Sequence, residues 1–246
     1  MMDIDFHGKT VVVTGAALGF GQAIAESFSA RGAQVWAADL QPMALDERIR
    51  TRQLDLLDGC ASAAWIAEVE AASPQGIAVL VNNAGGVAGQ AFQPIETVSD
   101  TDWQRVIDIN LTVSFSLSRA VAAGMKRHGG CIVNISSGAA LQASLTGVQA
   151  YCAAKHAVLG LTRQLAHELG PQGVRVNAVA PGFVITNPAT QRQWDAMGVN
   201  GQAALMRNIA LRRLATPQDI ANVTLWLASD MAAMVNGQII AVDGGK

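Results

Sequence analysis

Lys9-Thr10-Val11-Val12-Val13-Thr14-Gly15-Ala16-Ala17-Leu18-Gly19-Phe20-Gly21 decides the fold. Val11 to Val13 is an apolar run too short for a helix and reads as a strand buried on both faces. The glycines then open an amphipathic helix that runs to about Ala30 and ends at Arg31-Gly32. Gln34 to Ala38 is a second strand, stopping at Asp39, 18 positions beyond Gly21. Glycines let the backbone turn tightly and approach a pyrophosphate, and the helix N-terminus offers unpaired N–H groups. Asp39 is placed to accept hydrogen bonds from an adenosine ribose diol. A glycine turn alone is a weak signal. The ordered set of strand, turn, helix, strand and acid is a much stronger pointer to a dinucleotide.

Outward from this unit the same rhythm continues. Thr51–Leu54 reads as a strand, Asp58–Ala72 as a helix, and Ile77–Val81 as a strand ending in Asn82-Asn83-Ala84-Gly85-Gly86. Thr97 to about Met125 reads as one long helix with Asn110 inside it, and Cys131–Ile135 as a strand ending at Ser136-Ser137. Ala150–Leu169 is a helix, Val174–Ala178 a strand ending near Pro181-Gly182, and Gln238–Val242 a last strand. Thr216 caps a helix to Ala228, with Pro217 at its first position. This alternation specifies a single α/β domain over 1–246: a doubly wound parallel seven-stranded sheet with helices on both faces. Right-handed crossovers bring Gly15, Asp39, Asp55, Asn83, Ser137 and Pro181 to the carboxyl edge, where such sheets bind ligands.

Composition narrows the function classes. Half of the 246 residues are hydrophobic and 15% are charged, enough to bury a sizeable core. A net charge of −2 argues against nucleic acid or an anionic membrane as partner. The cysteines, Cys60, Cys131 and Cys152, offer neither a disulfide framework nor a metal-ligand pattern and fit a reducing compartment. His7, His128 and His167 lack partners at metal spacing, so no metal is expected. Met1-Met2-Asp3-Ile4-Asp5 does not read as a signal peptide. No run approaches the roughly 18 apolar residues of a membrane span. A cytoplasmic protein is expected.

Tyr151, the sole tyrosine, stands four residues before Lys155. On a helix the two share a face. A nearby cation favours phenolate over phenol, and a phenol tuned in this way can exchange a proton with an alcohol or carbonyl oxygen. Taken alone, the spacing is more often that of a core tyrosine beside a surface lysine, since such pairs are common, and the rest of the chain has to decide.

The assembled motifs resemble the short-chain dehydrogenase/reductase family from Gly8 to Gly245. They are Thr14 to Gly21, Asn82-Asn83-Ala84-Gly85, Asn110, Ser136-Ser137, Tyr151 to Lys155, Pro181-Gly182 with Thr186, and Val242-Asp243-Gly244-Gly245. The resemblance implies a Rossmann fold and hydride exchange between a nicotinamide cofactor and a secondary alcohol or ketone. It implies Tyr151 as general acid/base, Lys155 lowering its pKa and holding the nicotinamide ribose, and Ser137 bonding the substrate oxygen. Asn110 is implied to hold a helix irregularity and a relay water. The cofactor is expected along Gly15, Leu18, Gly19, Phe20 and Gly21, with Asp55-Leu56 at the adenine and Asn83, Ala84 and Gly85 on the adenosine side. Pro181, Val184 and Thr186 are expected at the nicotinamide end. A homotetramer is implied, with the two long helices at one interface and the last strand and Thr216 helix at the other.

The chain departs from the family pattern in two places. Phe20 stands where isoleucine is usual; it reads as helix packing, or else as a reshaped floor near the nicotinamide. Ser137 and Tyr151 are 14 positions apart, one more than in many relatives, so the extra residue belongs in Gly138–Ala150. Asp39, followed by Leu40 and facing a turn with Leu18 and no cation, favours NAD over NADP. Specificity is expected in the loop holding Gln142, Ser144, Thr146 and Gln149, and in a lid at about 186–213 holding Arg192, Gln193 and Trp194. Tryptophan suits the apolar face of a sugar and arginine a carboxylate. A sugar, polyol or keto-deoxy sugar acid is therefore the expected substrate. The alternatives are a 3-oxoacyl thioester reductase and a hydroxysteroid or aromatic-alcohol dehydrogenase. A dinucleotide sensor without turnover is disfavoured by the retained tyrosine and lysine. Lys246 is expected near a neighbouring subunit's pocket.

Overall fold

The structure, a computed structural model, describes residues 4–246; the leader reading of Met1 to Asp3 falls outside the described residues. Seven parallel strands lie in the order β3-β2-β1-β4-β5-β6-β7. They are β1 (Thr10–Thr14), β2 (Gln34–Asp39), β3 (Arg50–Gln53), β4 (Ile77–Asn82), β5 (Gly130–Ile135), β6 (Val174–Pro181) and β7 (Ile239–Val242). The helices are α1 (Gly19–Ser29), α2 (Gly59–Ala71), α3 (Asp100–Ile107), α4 (Val113–His128), α5 (Gln149–Leu169), α6 (Pro188–Ala196), α7 (Gly198–Asn208) and α8 (Pro217–Ala228).

The strand period of two sorts the core into two layers. Val11 and Val13 of β1 face α1 and α8, joining Ile24, Phe28, Ile220 and Leu225. Val12 faces the other side, with Leu80, Ile132 and Val176 beneath Trp65, Leu117 and Leu169. An apolar run with no polar alternation is therefore what a strand covered on both faces requires. A polar line also crosses this interior. Asn82 Nδ2 donates to Asn134 Oδ1 at 2.8 Å, and Asn134 Nδ2 donates to Thr162 Oγ1 at 2.9 Å. It ties β4, β5 and α5 together near the sheet's carboxyl edge.

The long helix expected over Thr97–Met125 begins instead at Asp100, where the Ser99 hydroxyl accepts from Asp102 N at 3.1 Å. It continues to His128 and is interrupted at Asp108–Thr112 by a π-helical turn carrying Asn110. Asp100–His128 as a whole has the length and apolar character of a membrane span. Leu117, Val121 and Met125 are nevertheless buried against the sheet, so it serves as a core helix.

Candidate active site

The glycine turn is built by exclusion. Gly15 has φ +66°, and a Cβ there would stand 2.8 Å from Ala84 Cα. At Gly21 a Cβ would fall 2.0 Å from the Gly15 carbonyl oxygen. Gly21 thus lies beneath the turn and lets α1 close against it, while Gly15, Leu18 and Gly19 border the open cleft. Thr14, part of the turn motif but given no role by the sequence reading, fixes the opposite bank. Its hydroxyl accepts from Asn83 N at 3.1 Å and Ala84 N at 3.2 Å. The Asn83 side chain in turn donates to the carbonyls of Thr14 and Gly15, each at 2.9 Å. Asn83 therefore locks two strand ends together as well as bordering the cleft.

The cleft has a volume of about 550 Å³. Asp39 stands at one end, its carboxylate accepting from Ala17 N and Gln41 N, each at 2.9 Å. Leu18 and Leu40 are exposed beside it. Asp55 borders the cleft and accepts from Leu57 N at 3.0 Å. Leu56 borders it too, but most of its side chain is buried in the core. Ala84 and Gly85 complete that wall. Arg105 also borders the cleft, correcting the expectation of a cation-free site. It lies on α3, whereas Asp39 ends β2.

A second, smaller cavity of about 170 Å³ opens beside Ser137, Gly138, Pro181 and Val184. Tyr151, Phe20 and Thr186 border both cavities, so the phenol stands where they meet. Helix α5 carries Tyr151 and Lys155 one turn apart, with the Lys155 ammonium 5.7 Å from the phenol ring centroid. Lys155 Nζ donates to Ile135 O at 2.9 Å. Ser136 donates to the Lys155 carbonyl at 3.1 Å, so it braces the helix and leaves Ser137 facing the cavity.

The electrostatics differ from the expectation that Lys155 depresses the phenol's pKa. Burial pushes Tyr151 above its ordinary value, and the hydrogen bond from Ser137 works against that shift. Burial also lowers Lys155, to about 8. Such an ammonium is charged at neutral pH and loses its proton before a raised phenol loses its own. Asn110 is buried behind the site. Its amide donates to Gly86 O at 2.7 Å and Val106 O at 2.8 Å, and its Oδ1 accepts from Gly86 N at 3.0 Å. Both amide hydrogens are used, and the residue holds the Gly86 loop against the π turn.

Three expected substrate contacts move elsewhere. Gln149 donates to Gln93 O at 2.9 Å, outside the smaller cavity, and ties a neighbouring loop to α5. Arg192 is exposed on α6 and borders neither cavity. Trp194 stacks on Phe183 with centroids 6.0 Å apart, supporting a wall residue from behind. Gln142, Ser144, Thr146 and Gln193 do border the smaller cavity, joined by Thr190, Asp243 and Lys246. Lys246 therefore reaches its own chain's cavity. Gln193 Nε2 donates to Leu145 O at 3.3 Å, joining the lid to the loop before α5. Among the described residues, no three His, Cys, Asp or Glu side chains cluster as a metal site.

A crevice at the carboxyl edge of a doubly wound sheet, with a tyrosine–lysine turn at its end, defines a nucleotide-dependent oxidoreductase of the Rossmann class. A family model described as enoyl-(acyl carrier protein) reductase matches residues 15–246. D-Threitol dehydrogenase of Mycolicibacterium smegmatis is 40% identical, the match covering 99% of this chain and 95% of the relative. A 3-alpha-(or 20-beta)-hydroxysteroid dehydrogenase of Mycobacterium tuberculosis is 38% identical, covering 97% and 89%. A protein of Beutenbergia cavernae, provisionally assigned as an NAD(P)-dependent gluconate 5-dehydrogenase and solved with NADP at low occupancy, superposes with a TM-score of 0.86. It is 38% identical, covering 98% of each chain. The chain belongs to the short-chain dehydrogenase/reductase family. It is an oxidoreductase that acts on CH–OH groups with a nicotinamide dinucleotide.

Proposed function

We propose that this chain is an NAD-preferring dehydrogenase of small neutral polyols or sugars, working as a cytoplasmic homotetramer in carbohydrate metabolism. The observation that carries the reading is Tyr151 at the junction of a cleft ending in Asp39 and a small, polar-lined cavity. The cradle that a Cβ at Gly15 or Gly21 would fill fits a pyrophosphate approaching the backbone. Asp39 and Leu40 would hold the adenosine ribose, Asp55, Leu56 and Asn83 to Gly85 the adenosine side, and Lys155, Pro181, Val184 and Thr186 the nicotinamide end. Two solved relatives hold NADP. In this chain, however, the carboxylate of Asp39 repels a 2′-phosphate, and neither Leu18 nor Leu40 supplies a cation for it.

When bound, the nicotinamide supplies the hydride acceptor or donor. The chain manages the proton. In oxidation Tyr151 first gives its phenol proton to solvent, and the carbinol O–H proton then passes to it as the carbon loses its hydride, leaving a ketone. In reduction the Tyr151 phenol returns the proton to the carbonyl oxygen. Ser137 donates a hydrogen bond to that oxygen, and Lys155 places positive charge beside the ring. Asn110 positions the Gly86 loop. The lid is the 186–213 segment.

The cavity volume supports a small substrate. At about 170 Å³ it is the smaller of the two spaces and lies below the usual range of ligand pockets. Its hydroxyl and amide groups, from Ser144, Thr146, Thr190 and Gln193, suit a polyol. Arg192 lies outside it, and the cation that does border it, Lys246, is accompanied there by the Asp243 carboxylate, which favours a neutral substrate over a sugar acid. For assembly, Ala153, Ala157 and Gly160 are exposed on α5, and nothing lies within 4 Å of a Cβ built at Gly160. Close approach of a second α5 is therefore open. Following NADH absorbance with tetritols, hexoses, a hydroxysteroid and an aromatic secondary alcohol tests the substrate class. Turnover of polyols is expected; turnover of the steroid or aromatic alcohol alone would reject the reading.

A further inference from the structure

Three consecutive residues at the end of β5 each hold a different atom of the Tyr151–Lys155 turn. The Ile135 carbonyl accepts from the Lys155 ammonium at 2.9 Å. The Ser136 hydroxyl donates to the Lys155 main-chain carbonyl at 3.1 Å. The Ser137 hydroxyl bonds the Tyr151 phenol. Ser136 is buried, and its N–H donates to Val179 O of β6 at 2.7 Å. Its main chain is thus fixed to the sheet, and its hydroxyl fixes the helix to the same point. Two residues deeper on the same face of β5, Asn134 Nδ2 donates to Thr162 Oγ1 at 2.9 Å. Thr162 stands seven positions after Lys155, on the same face of α5.

Helix α5 therefore hangs on β5 at two polar points, with Val158 and Leu159 buried between them. Apolar contacts are non-directional and tolerate sliding, whereas a hydrogen bond weakens steeply with distance and angle. The point nearer the phenol is Ser136. We infer that Ser136 is a positioning residue for proton transfer: its hydroxyl holds α5 in the register that brings the Tyr151 phenol to Ser137 and the Lys155 ammonium to the end of β5. The inference rests on Tyr151 as the group that exchanges the substrate proton. The hydrogen of Ser136 is committed to the helix backbone, so this residue acts on the reaction only through α5. Without it the Ser137 bond and the Lys155 charge, both of which favour the phenolate, weaken together.

Tyr151 is the only tyrosine in the chain, so isotope labelling of the phenol carbon gives a single NMR resonance that reports its protonation. The labelled protein is titrated while saturated with NAD. Ser136→Ala is expected to raise the pH at which the phenol loses its proton by at least about half a unit, the worth of one hydrogen bond. For the same reason kcat on a tetritol should fall about three- to tenfold, with substrate KM within about twofold. Ser136→Thr keeps the hydroxyl and is expected to restore both. Ser136→Cys, with its weaker donor, takes the place of alanine if that variant does not fold, and should move the titration in the same direction. Thr162→Val removes the deeper point; it should lower the melting temperature while the phenol titrates as in the wild type. A phenol that titrates at or below the wild-type pH in the alanine or cysteine variant overturns the inference. An equal shift in Thr162→Val also overturns it, since Ser136 would then serve stability alone. If Tyr151→Phe keeps turnover, the proton role of Tyr151 fails, while the titration still reads the Ser136 contact.

Discussion

Two cavities meet at Tyr151, and they are built by different means. The nucleotide cleft is a backbone construction. Gly15 and Gly21 leave no room for a Cβ, and the Thr14 and Asn83 side chains tie main chain to main chain. The substrate cavity is a side-chain construction. Its walls come from α1, the segment after β5, the end of β6, the lid and the segment after β7. Backbone demands appear in sequence as residue types at fixed spacing. Side-chain walls take shape only when distant segments come together.

The largest effect is expected where the backbone has least room. A Gly21→Ala substitution forces a Cβ into the Gly15 carbonyl, and calorimetry should find no NAD binding, with a stability loss of about 1–3 kcal/mol. Wild-type NAD affinity in this variant would break the account of the cleft. Next comes Asp39→Ala, which removes the repulsion of a 2′-phosphate. The ratio of kcat/KM for NAD over NADP should fall about 100-fold, since opposing like charges cost several kcal/mol.

Lys155→Met should lower kcat at least about 100-fold, the lower range for a proton-transfer contribution, yet raise the melting temperature at pH 7. The sign follows from burial. The folded protein holds Lys155 at about 8 against an ordinary 10.5, so between those values the unfolded chain binds more protons. Wild-type stability therefore rises with pH across that window, and the advantage of methionine should shrink over the same range. An advantage that grows with pH would contradict the buried ammonium. The smallest effects separate wall from surface. Arg192→Ala should leave substrate KM within about twofold, as exposed changes do, whereas Gln193→Ala should raise it about two- to tenfold, the worth of one hydrogen bond. A large Arg192 effect would move the cavity boundary.

The contrast also explains what could be read from the sequence. β1, the glycine turn, α1 and Asp39 were legible because each carries a steric or chemical demand at short range. Tyr151 and Lys155 were legible as a helical pair and Ser137 as a strand-end residue, but their roles came from the family resemblance. The break at Asp108–Thr112 was visible only through the resemblance, since a π turn changes hydrogen-bond register without a matching change in hydrophobic period. Gln149 and Arg192 were misplaced because helical phase and loop path decide whether a polar side chain faces a cavity or solvent. Thr14 stood in the turn motif without a role because its hydroxyl works across β1 and β4, 69 and 70 positions from Asn83 and Ala84. The Lys155 effect on Tyr151 was misjudged because the spacing gave proximity without the burial that shifts both groups.

The central claim is that a single phenol at the meeting of the two cavities moves the substrate proton. Tyr151→Phe tests it most directly, by measuring kcat together with the calorimetric Kd for NAD. The account predicts a fall in kcat of about 100- to 10,000-fold with NAD affinity unchanged, because the ring keeps its packing and only the hydroxyl is lost. Turnover retained at the wild-type rate would contradict it.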